Sequence, residues 1–223
     1  MATTEVVVFD VNETLSDMSA VAARFVEVGA PEHLAALWFA SLLRDGFAAT
    51  AAGGQIGFSD LGRGTLRTVL SGLDVNRSPH DAVEHVMDGF MTLAVHPDVV
   101  EGVRALRRSG LRLTTLSNGS VEVAERLLTA AGVRDAFDAL LSVEDAGVWK
   151  PAKAAYEYGA RVCQSDPSVM LLVAVHPWDI HGASNAGLRT AWINRSGAPY
   201  PAYFAAPDHT VGSLPELAEQ LAR

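Results

Sequence analysis

Apolar positions follow two patterns along the chain, and each pattern predicts its own kind of structure. Residues 6–9 (VVVF) are apolar without alternation, which is typical of a strand buried on both faces of a parallel sheet. From Asp17 to Leu93, apolar residues recur at helical spacing in four segments, and no strand pattern is visible. Ser59 and the pair Ser78-Pro79 are suitable helix starts within this region.

Beyond Pro97, strand and helix patterns alternate until the end of the chain. Such alternation implies right-handed crossovers and a parallel sheet with helices on both faces. We therefore expect an α/β domain whose first crossover is interrupted by a helical insert, with the core at residues 1–15 and 96–223 and the insert at residues 16–95. The later strands are predicted at residues 111–118, 140–143, 169–175 and 189–194, and HTVGSLPELAEQLAR is expected to hold a short strand and a closing helix.

Polar residues stand at the ends of several predicted strands. Asp10 ends the first strand, Ser117-Asn118 end the second, and His176 and Asp179 follow a later one, while Lys150 lies in the loop GVWKP. The carboxyl ends of parallel strands share one edge of the sheet, where open α/β sheets bind ligands. An aspartate at a strand end is by itself more often a turn residue. The joint placement of these residues favours a functional site.

Composition narrows the function without defining it. Hydrophobic residues make up 49% of the 223 residues, and the net charge is −9. We expect no nucleic-acid partner, because no basic patch stands out, whereas a small anionic substrate needs only a few local cations. One cysteine, Cys163, and no stretch typical of a signal peptide favour a reducing cytoplasm. No apolar run approaches the length of a membrane span.

Four motifs resemble those of the haloacid dehalogenase superfamily, in the same order and on both sides of the insert. The stretch VVVFDVNETL is similar to the first motif, in which an aspartate follows hydrophobic residues and precedes a threonine. LRLTTLSNGS resembles the second motif, Lys150-Pro151 the third, and LLVAVHPWDIHGASNAGLRTAWINR the fourth. The resemblance implies a Rossmann-like core and makes residues 16–95 the helical cap domain.

Within the superfamily, the chain is most similar to the L-2-haloacid dehalogenases. The features that carry this similarity are LSNGS, Tyr156 after Lys-Pro, Gly-Ala after Trp-Asp, WINR, and Arg44 in LWFASLLRDGF. The resemblance implies that Asp10 displaces halide from C2 of a 2-haloacid with inversion, and that water then hydrolyses the aspartyl ester. It implies no cofactor, and it allows for a homodimer.

Two positions argue against a phosphatase. In superfamily phosphatases, a second aspartate two residues after the nucleophile protonates the leaving group, but Asn12 cannot deliver a proton. Their Mg²⁺ is held by the nucleophile and by an acid four residues before a second acid; four residues before Asp179 stands Val175, which cannot ligate a hard cation. We therefore expect no metal. A phosphatase with an atypical Mg²⁺ site and a catalytically silent member of the fold remain the alternatives.

The resemblance also assigns roles around Asp10. Thr14 fixes the Asp10 loop, Lys150 keeps Asp10 in its attacking form, and Asp179 orients Lys150 or the hydrolytic water. Tyr156 supports Lys150 or Asp179. Residues expected to contact substrate or halide are Arg44 (halide), Ser117 and Asn118 (the substrate carboxylate), Asn12, Tyr156 and Trp178.

Several residues depart from the pattern of this branch. Asn12 and Glu13 stand where that pattern has an aromatic residue and a glycine, and Ala174 and His176 stand where it has serine and asparagine. His176 is either a general base that orients water or a histidine that caps the next helix. Trp178 is either a pocket wall or part of the core. Glu13 has no role in this pattern.

Overall fold

The structure, a computed structural model, describes residues 3–222, which form two compact units. One unit contains the described residues up to Ser16 together with those from Ala94 onwards, and the other is Asp17–Leu93. None of the described helices is long and apolar enough to cross a membrane.

The elements are numbered along the chain. The strands are β1 Val6–Phe9, β2 Arg112–Ser117, β3 Ala139–Ser142, β4 Met170–Ala174, β5 Arg189–Ile193 and β6 His209–Val211. The helices are α1 Ser19–Glu27, α2 Leu34–Ala51, α3 Phe58–Leu70, α4 Pro79–Phe90, α5 Val99–Arg108, α6 Val121–Ala130, α7 Lys153–Cys163, α8 Pro177–Asn185 and α9 Leu214–Leu221.

The first unit is built on one parallel sheet with the strand order β3-β2-β1-β4-β5-β6. The chain runs outward from β1 to β3, returns to β4 and then runs outward in the opposite direction, so the order reverses between β1 and β4. Crossovers between parallel strands are as a rule right-handed, and with this strand order such crossovers place helices on both faces of the sheet. The predicted α/β, Rossmann-like parallel core is confirmed.

The central strand β1 explains why the chain opens with an unbroken apolar run. All four residues of β1 are buried, and the strand has a paired neighbour on each side, β2 and β4. Phe9 pairs in register with Thr115 of β2 and with Val173 of β4. The next residue, Asp10, therefore lies at the carboxyl edge of the sheet, at the reversal where open α/β sheets bind ligands.

The second unit consists of α1 to α4, packed around an aromatic cluster. Trp38 is fully buried at its centre, 6.0 Å from the ring of Phe90 and 6.3 Å from that of Phe25. Ser78 caps α4 by accepting a hydrogen bond from the Asp81 amide, as the sequence predicts. The prediction for Ser59 is wrong, because α3 already begins at Phe58, after Gly57 in an extended conformation.

Candidate active site

Asp10 is buried at the end of β1, with 3% of its surface exposed. Its backbone amide donates to the Val173 carbonyl of β4, which fixes the turn that follows. The Thr14 hydroxyl donates to Asp10 Oδ2 at 2.7 Å and accepts from the Val175 amide at 3.1 Å. Thr14 therefore ties the loop after β1 to the loop after β4.

Lys150 lies between two buried acids. Its Nζ is 2.9 Å from Asp10 Oδ1 and 2.6 Å from Asp179 Oδ2, and its side chain is fully buried. Burial alone would lower the pKa of Lys150, but the two carboxylates outweigh it and raise that pKa. Burial alone would raise the pKa of Asp10, but Lys150 and His176 hold it well below its usual range. Asp10 is therefore ionised.

The Lys150 backbone is held by a side chain from the neighbouring strand end. Asn118 Oδ1 accepts a hydrogen bond from the Lys150 amide at 2.9 Å, and Asn118 Nδ2 donates to the Lys150 carbonyl at 3.4 Å. The Asn118 amide group thus fixes the loop that carries the ammonium. Its predicted contact with the substrate carboxylate stays a prediction.

Tyr156 and Asp179 complete this side of the site. The Tyr156 hydroxyl donates to Asp179 Oδ1 at 2.6 Å and lies 3.2 Å from the Asp179 carbonyl oxygen. Burial and the nearby Asp10 raise the pKa of Asp179 against the pull of Lys150. A Cβ atom on Gly182 would lie 2.5 Å from the Tyr156 hydroxyl, so a glycine in α8 lets the phenol reach Asp179.

The other oxygen of Asp10 contacts a histidine. His176 Nδ1 lies 3.1 Å from Asp10 Oδ2, and His176 Nε2 lies 2.8 Å from Glu13 Oε2. Burial alone would lower the pKa of His176, but hydrogen bonds to Asp10 and Glu13 outweigh it and raise the pKa to about 9. The ring of Trp178 stacks on the imidazole, with centroids 4.9 Å apart. His176 occupies the N-cap position of α8, but its side chain makes no capping hydrogen bond.

Glu13 is the site residue that has no role in the family pattern. Its backbone has a φ of 61°, which is uncommon for a residue with a side chain. The Glu13 amide donates to Ser16 Oγ at 3.2 Å, and its carbonyl oxygen lies 3.0 Å from His96 Nε2. These contacts hold the turn that aims the Glu13 carboxylate at His176. The signal that could have found this pair is that both positions depart from the family pattern together.

Ser117 and Asn12 border the remaining part of the site. Ser117 Oγ accepts a hydrogen bond from the Gly119 amide at 2.9 Å. Asn12 is 4% exposed, and its Oδ1 has no hydrogen-bond partner among residues 3–222. A Cβ atom on Gly119 would lie 3.5 Å from Asn12 Nδ2, so the glycine keeps space beside this amide. Substrate contacts of Ser117 and Asn12 stay predictions.

Arg44 belongs to the helical unit. It lies on α2, where its Nε contacts Asp45 Oδ1 at 2.7 Å and its side chain is 70% exposed. Its predicted halide contact also stays a prediction. The structure thus brings seven predicted residues into one hydrogen-bonded network, namely Asp10, Thr14, Asn118, Lys150, Tyr156, His176 and Asp179.

The residues around Asp10 do not suit a magnesium ion. Both Asp10 oxygens already accept from protein donors, Oδ1 from Lys150 and Oδ2 from Thr14. At position 175, where a superfamily phosphatase has a metal-binding acid, the apolar Val175 side chain offers no oxygen. Within the described part of the chain, no group of three or more His, Cys, Asp or Glu residues is arranged to hold a metal ion.

The fold and the site together define a class: an α/β protein that presents an ionised aspartate where the strand order reverses. A family model for haloacid dehalogenase-like hydrolases matches residues 4–187. Because this match covers most of the chain, the protein belongs to the haloacid dehalogenase-like hydrolases.

Individual relatives lie within one branch of this family. The chain is 32% identical over 217 residues to a (S)-2-haloacid dehalogenase of Pseudomonas sp. (strain YL), covering 96% of this chain and 92% of that one. It is 29% identical over 220 residues to haloacetate dehalogenase H-2 of Moraxella sp. (strain B), covering 98% of each. The structure of an L-2-haloacid dehalogenase from Xanthobacter autotrophicus with chloropropionic acid covalently bound has a TM-score of 0.88, at 25% identity and 99% coverage of both chains.

Proposed function

We propose that this protein is a hydrolytic, metal-independent dehalogenase of short 2-haloalkanoic acids. It converts an (S)-2-haloacid to the (R)-2-hydroxy acid and halide through an ester on Asp10. The observation that carries the proposal is the buried, ionised Asp10, whose two oxygens accept hydrogen bonds from Lys150 and Thr14. The full-length similarity to (S)-2-haloacid dehalogenases supports the same substrate class.

In the first step, an Asp10 oxygen attacks C2 of the substrate from the side opposite the halogen. The C–O bond forms as the carbon–halogen bond breaks, and halide leaves with the electron pair without needing a proton. Lys150 and Thr14 restrict the carboxylate to one orientation, which lowers the entropic cost of the attack. The predicted halide contact of Arg44 and the carboxylate contacts of Ser117 and Asn118 complete this step.

In the second step, water attacks Cγ of the Asp10 ester and releases the 2-hydroxy acid. His176 is the base that we assign to this water, because its Nδ1 faces the Asp10 carboxyl group at 3.1 Å. Glu13 contacts the opposite ring nitrogen, an arrangement that resembles the acid–histidine pairs of other enzymes with covalent intermediates. With His176 as the base, the role of Asp179 is to orient Lys150, which it contacts at 2.6 Å.

One assay separates this proposal from the two alternatives. We expect the purified protein to release halide from L-2-chloropropionate but not from the D-enantiomer, with equal rates in the presence and absence of a chelator. Asp10→Asn should remove activity by at least about 10⁴-fold, because the amide is not a nucleophile. The matched control is Asp166→Asn, which changes an exposed carboxylate and should keep the wild-type rate.

The opposite outcomes identify the alternatives. Phosphate release from a generic phosphate ester that a chelator abolishes, without halide release, supports the phosphatase. Release of neither product, from protein that is folded by circular dichroism, supports a catalytically silent member of the fold.

We also propose that the protein acts in the cytoplasm and forms a homodimer. The single cysteine, which is buried, suits a reducing compartment. Light scattering coupled to size-exclusion chromatography tests the dimer, and a mass of one chain would contradict it.

A further inference from the structure

The contacts of His176 define its charge in the free protein. Each ring nitrogen faces a carboxylate oxygen, with Nδ1 at 3.1 Å from Asp10 and Nε2 at 2.8 Å from Glu13. An ionised carboxylate only accepts hydrogen bonds, and a neutral imidazole has one donor and one acceptor nitrogen. Only the imidazolium can donate to both partners, so His176 is positively charged in the resting protein.

A positively charged His176 cannot be a base, whereas the second step requires one. The charged groups near it in the core unit include Asp10 and Glu13, in direct contact, and Lys150 and Asp179 beyond the other oxygen of Asp10. The charge of Asp10 disappears when the ester forms. Alkylation therefore removes one of the two carboxylates that hold the proton on His176.

We propose that ester formation makes His176 lose its proton, and with it its positive charge, to solvent in the first step, when halide is released. The neutral imidazole then accepts a proton from water in the second step. This inference rests on the proposed function, and it makes Glu13 a positioning residue. Glu13 keeps its partner nitrogen, Nε2, protonated. The lone pair of the neutral ring is then on Nδ1, which faces the Asp10 carboxyl group.

Atoms and charges balance in both steps. In the first, Asp10 carboxylate, imidazolium and 2-haloacid give the ester, neutral imidazole, halide and one proton released to solvent. In the second, water adds to Cγ of the ester and gives one proton to His176 Nδ1. The ester C–O bond at Cγ then breaks, and the second proton of the water ends on the product hydroxyl. Asp10 is again a carboxylate and His176 an imidazolium.

The environment of the imidazole favours this loss of charge. Burial lowers the pKa of His176, and hydrogen bonds from the ring to Asp10 and Glu13 are what raise it to about 9. Without the Asp10 charge, burial and the nearby Lys150 ammonium oppose the imidazolium more effectively. Trp178, stacked at 4.9 Å, holds the ring in place whichever charge it carries.

Nitrogen NMR of the histidine side chains tests the inference without turnover. Protein labelled with ¹⁵N-histidine is titrated from weakly acidic to alkaline pH as wild type and as Asp10→Asn, whose neutral amide imitates the uncharged ester. We expect wild-type His176 to titrate as an imidazolium with a pKa near 9. In Asp10→Asn the pKa should fall by about 1 to 3 units, the usual effect of one contacting charge. The neutral form should carry its proton on Nε2.

Further variants keep the test decisive. Asp10→Ala repeats the measurement without an amide that could bond to the ring, and Asp166→Asn, a change to an exposed acid, should leave the pKa of His176 unchanged. An unchanged pKa in both Asp10 variants, or a neutral form protonated on Nδ1, overturns the inference. The halide assay on wild type is separate: its failure refutes the proposed function, whatever the spectra show.

Discussion

The two oxygens of Asp10 lie in contrasting surroundings. Oδ1 contacts Lys150, whose ammonium is fully buried and shared with Asp179. Oδ2 contacts Thr14 and His176, and the far nitrogen of His176 contacts Glu13, whose side chain is 43% exposed. The side with Lys150 and Asp179 is buried, and we name it the sealed side. The side with His176 and Glu13 extends to the surface, and we name it the open side. The difference separates a group of fixed charge from a group that can exchange a proton with solvent.

This contrast matches the needs of the two chemical steps. Attack on carbon needs an ionised carboxylate in a fixed position, which the Lys150 side provides, because the buried ammonium lowers the pKa of Asp10 and holds its Oδ1. Ester hydrolysis needs a group that gains and loses a proton once in each turnover, which a buried lysine with a raised pKa cannot do. The titratable imidazole on the other side can do so.

The largest expected effect comes from breaking the sealed side with Lys150→Met. The variant leaves two buried carboxylates, Asp10 and Asp179, without their shared cation. We expect a loss of about 3–5 kcal/mol in the free energy of unfolding, measured by urea titration, because an uncompensated buried charge remains. Steady-state halide release from L-2-chloropropionate should disappear. The burst of halide that accompanies formation of the Asp10 ester in the first turnover should disappear as well.

The matched control for that variant is Lys153→Met. Lys153 is three residues away, and its side chain is 64% exposed in a pair with Glu157. We expect the free energy of unfolding to change by no more than about 0.5 kcal/mol and turnover to stay normal. Equal destabilisation by the two substitutions would contradict the view that burial makes the Lys150 pair special.

The second-largest effect comes from breaking the open side with His176→Asn. We expect steady-state turnover to fall by about 10²- to 10⁴-fold, the range that a general base contributes. The first-step halide burst should persist, and intact-protein mass spectrometry should show the ester accumulating. His181→Asn is the control, because His181 contacts Asn185 and the Ala205 amide and none of the network around Asp10. Loss of the burst in His176→Asn would place His176 in the first step instead.

The sealed side was largely predictable from sequence, and the reason is topological. Parallel strands end at one edge, so a polar residue just after an apolar strand is placed near its counterparts on other strands. Asp10 directly follows β1, while Lys150 and Asp179 lie in the segments that come after β3 and β4, and the structure joins all three in one network. The helical region was predictable for a different reason, which is local: the spacing of its apolar residues indicates helices without any long-range information.

The open side was not predictable in the same way. Glu13 and His176 are 163 positions apart, and their contact depends on a left-handed backbone turn at Glu13. No local pattern specifies that conformation for a glutamate. The orientation of Asn118, with its amide on the Lys150 backbone, likewise depends on a side-chain rotamer. Such pairs are fixed by packing, which a sequence pattern does not express.

A smaller effect is expected when Glu13 alone is changed, which tests the open side of Asp10 without removing the imidazole. In Glu13→Gln we expect turnover to fall by about 10- to 100-fold, the cost of losing a group that orients a functional histidine. KM should change little, and the acidic limb of the pH–rate profile should move to lower pH, because the base titrates on that limb and a neutral amide no longer supports the imidazolium.

Glu13→Gly separates this electrostatic role from a backbone role. Glycine adopts the observed φ of 61° without strain, so the free energy of unfolding should not suffer from the backbone. We expect the same loss of turnover as in Glu13→Gln. Normal turnover in either variant would leave Glu13 with a structural role only.

The last expected effect concerns stability instead of turnover, and it is a dependence on pH. The pKa of His176 is raised from 6.5 to about 9 in the folded protein, so its contribution is fully present below pH 6.5 and is lost as pH rises through 9. The shift corresponds to at most about 3 kcal/mol. The difference in unfolding free energy between wild type and His176→Gln should therefore shrink between these two pH values. Lys150 adds no slope in that range, because its pKa is raised from 10.5 and stays above it. A difference that is constant across the range would mean that His176 is neutral at rest, and the two sides of Asp10 would then not differ in their capacity to titrate.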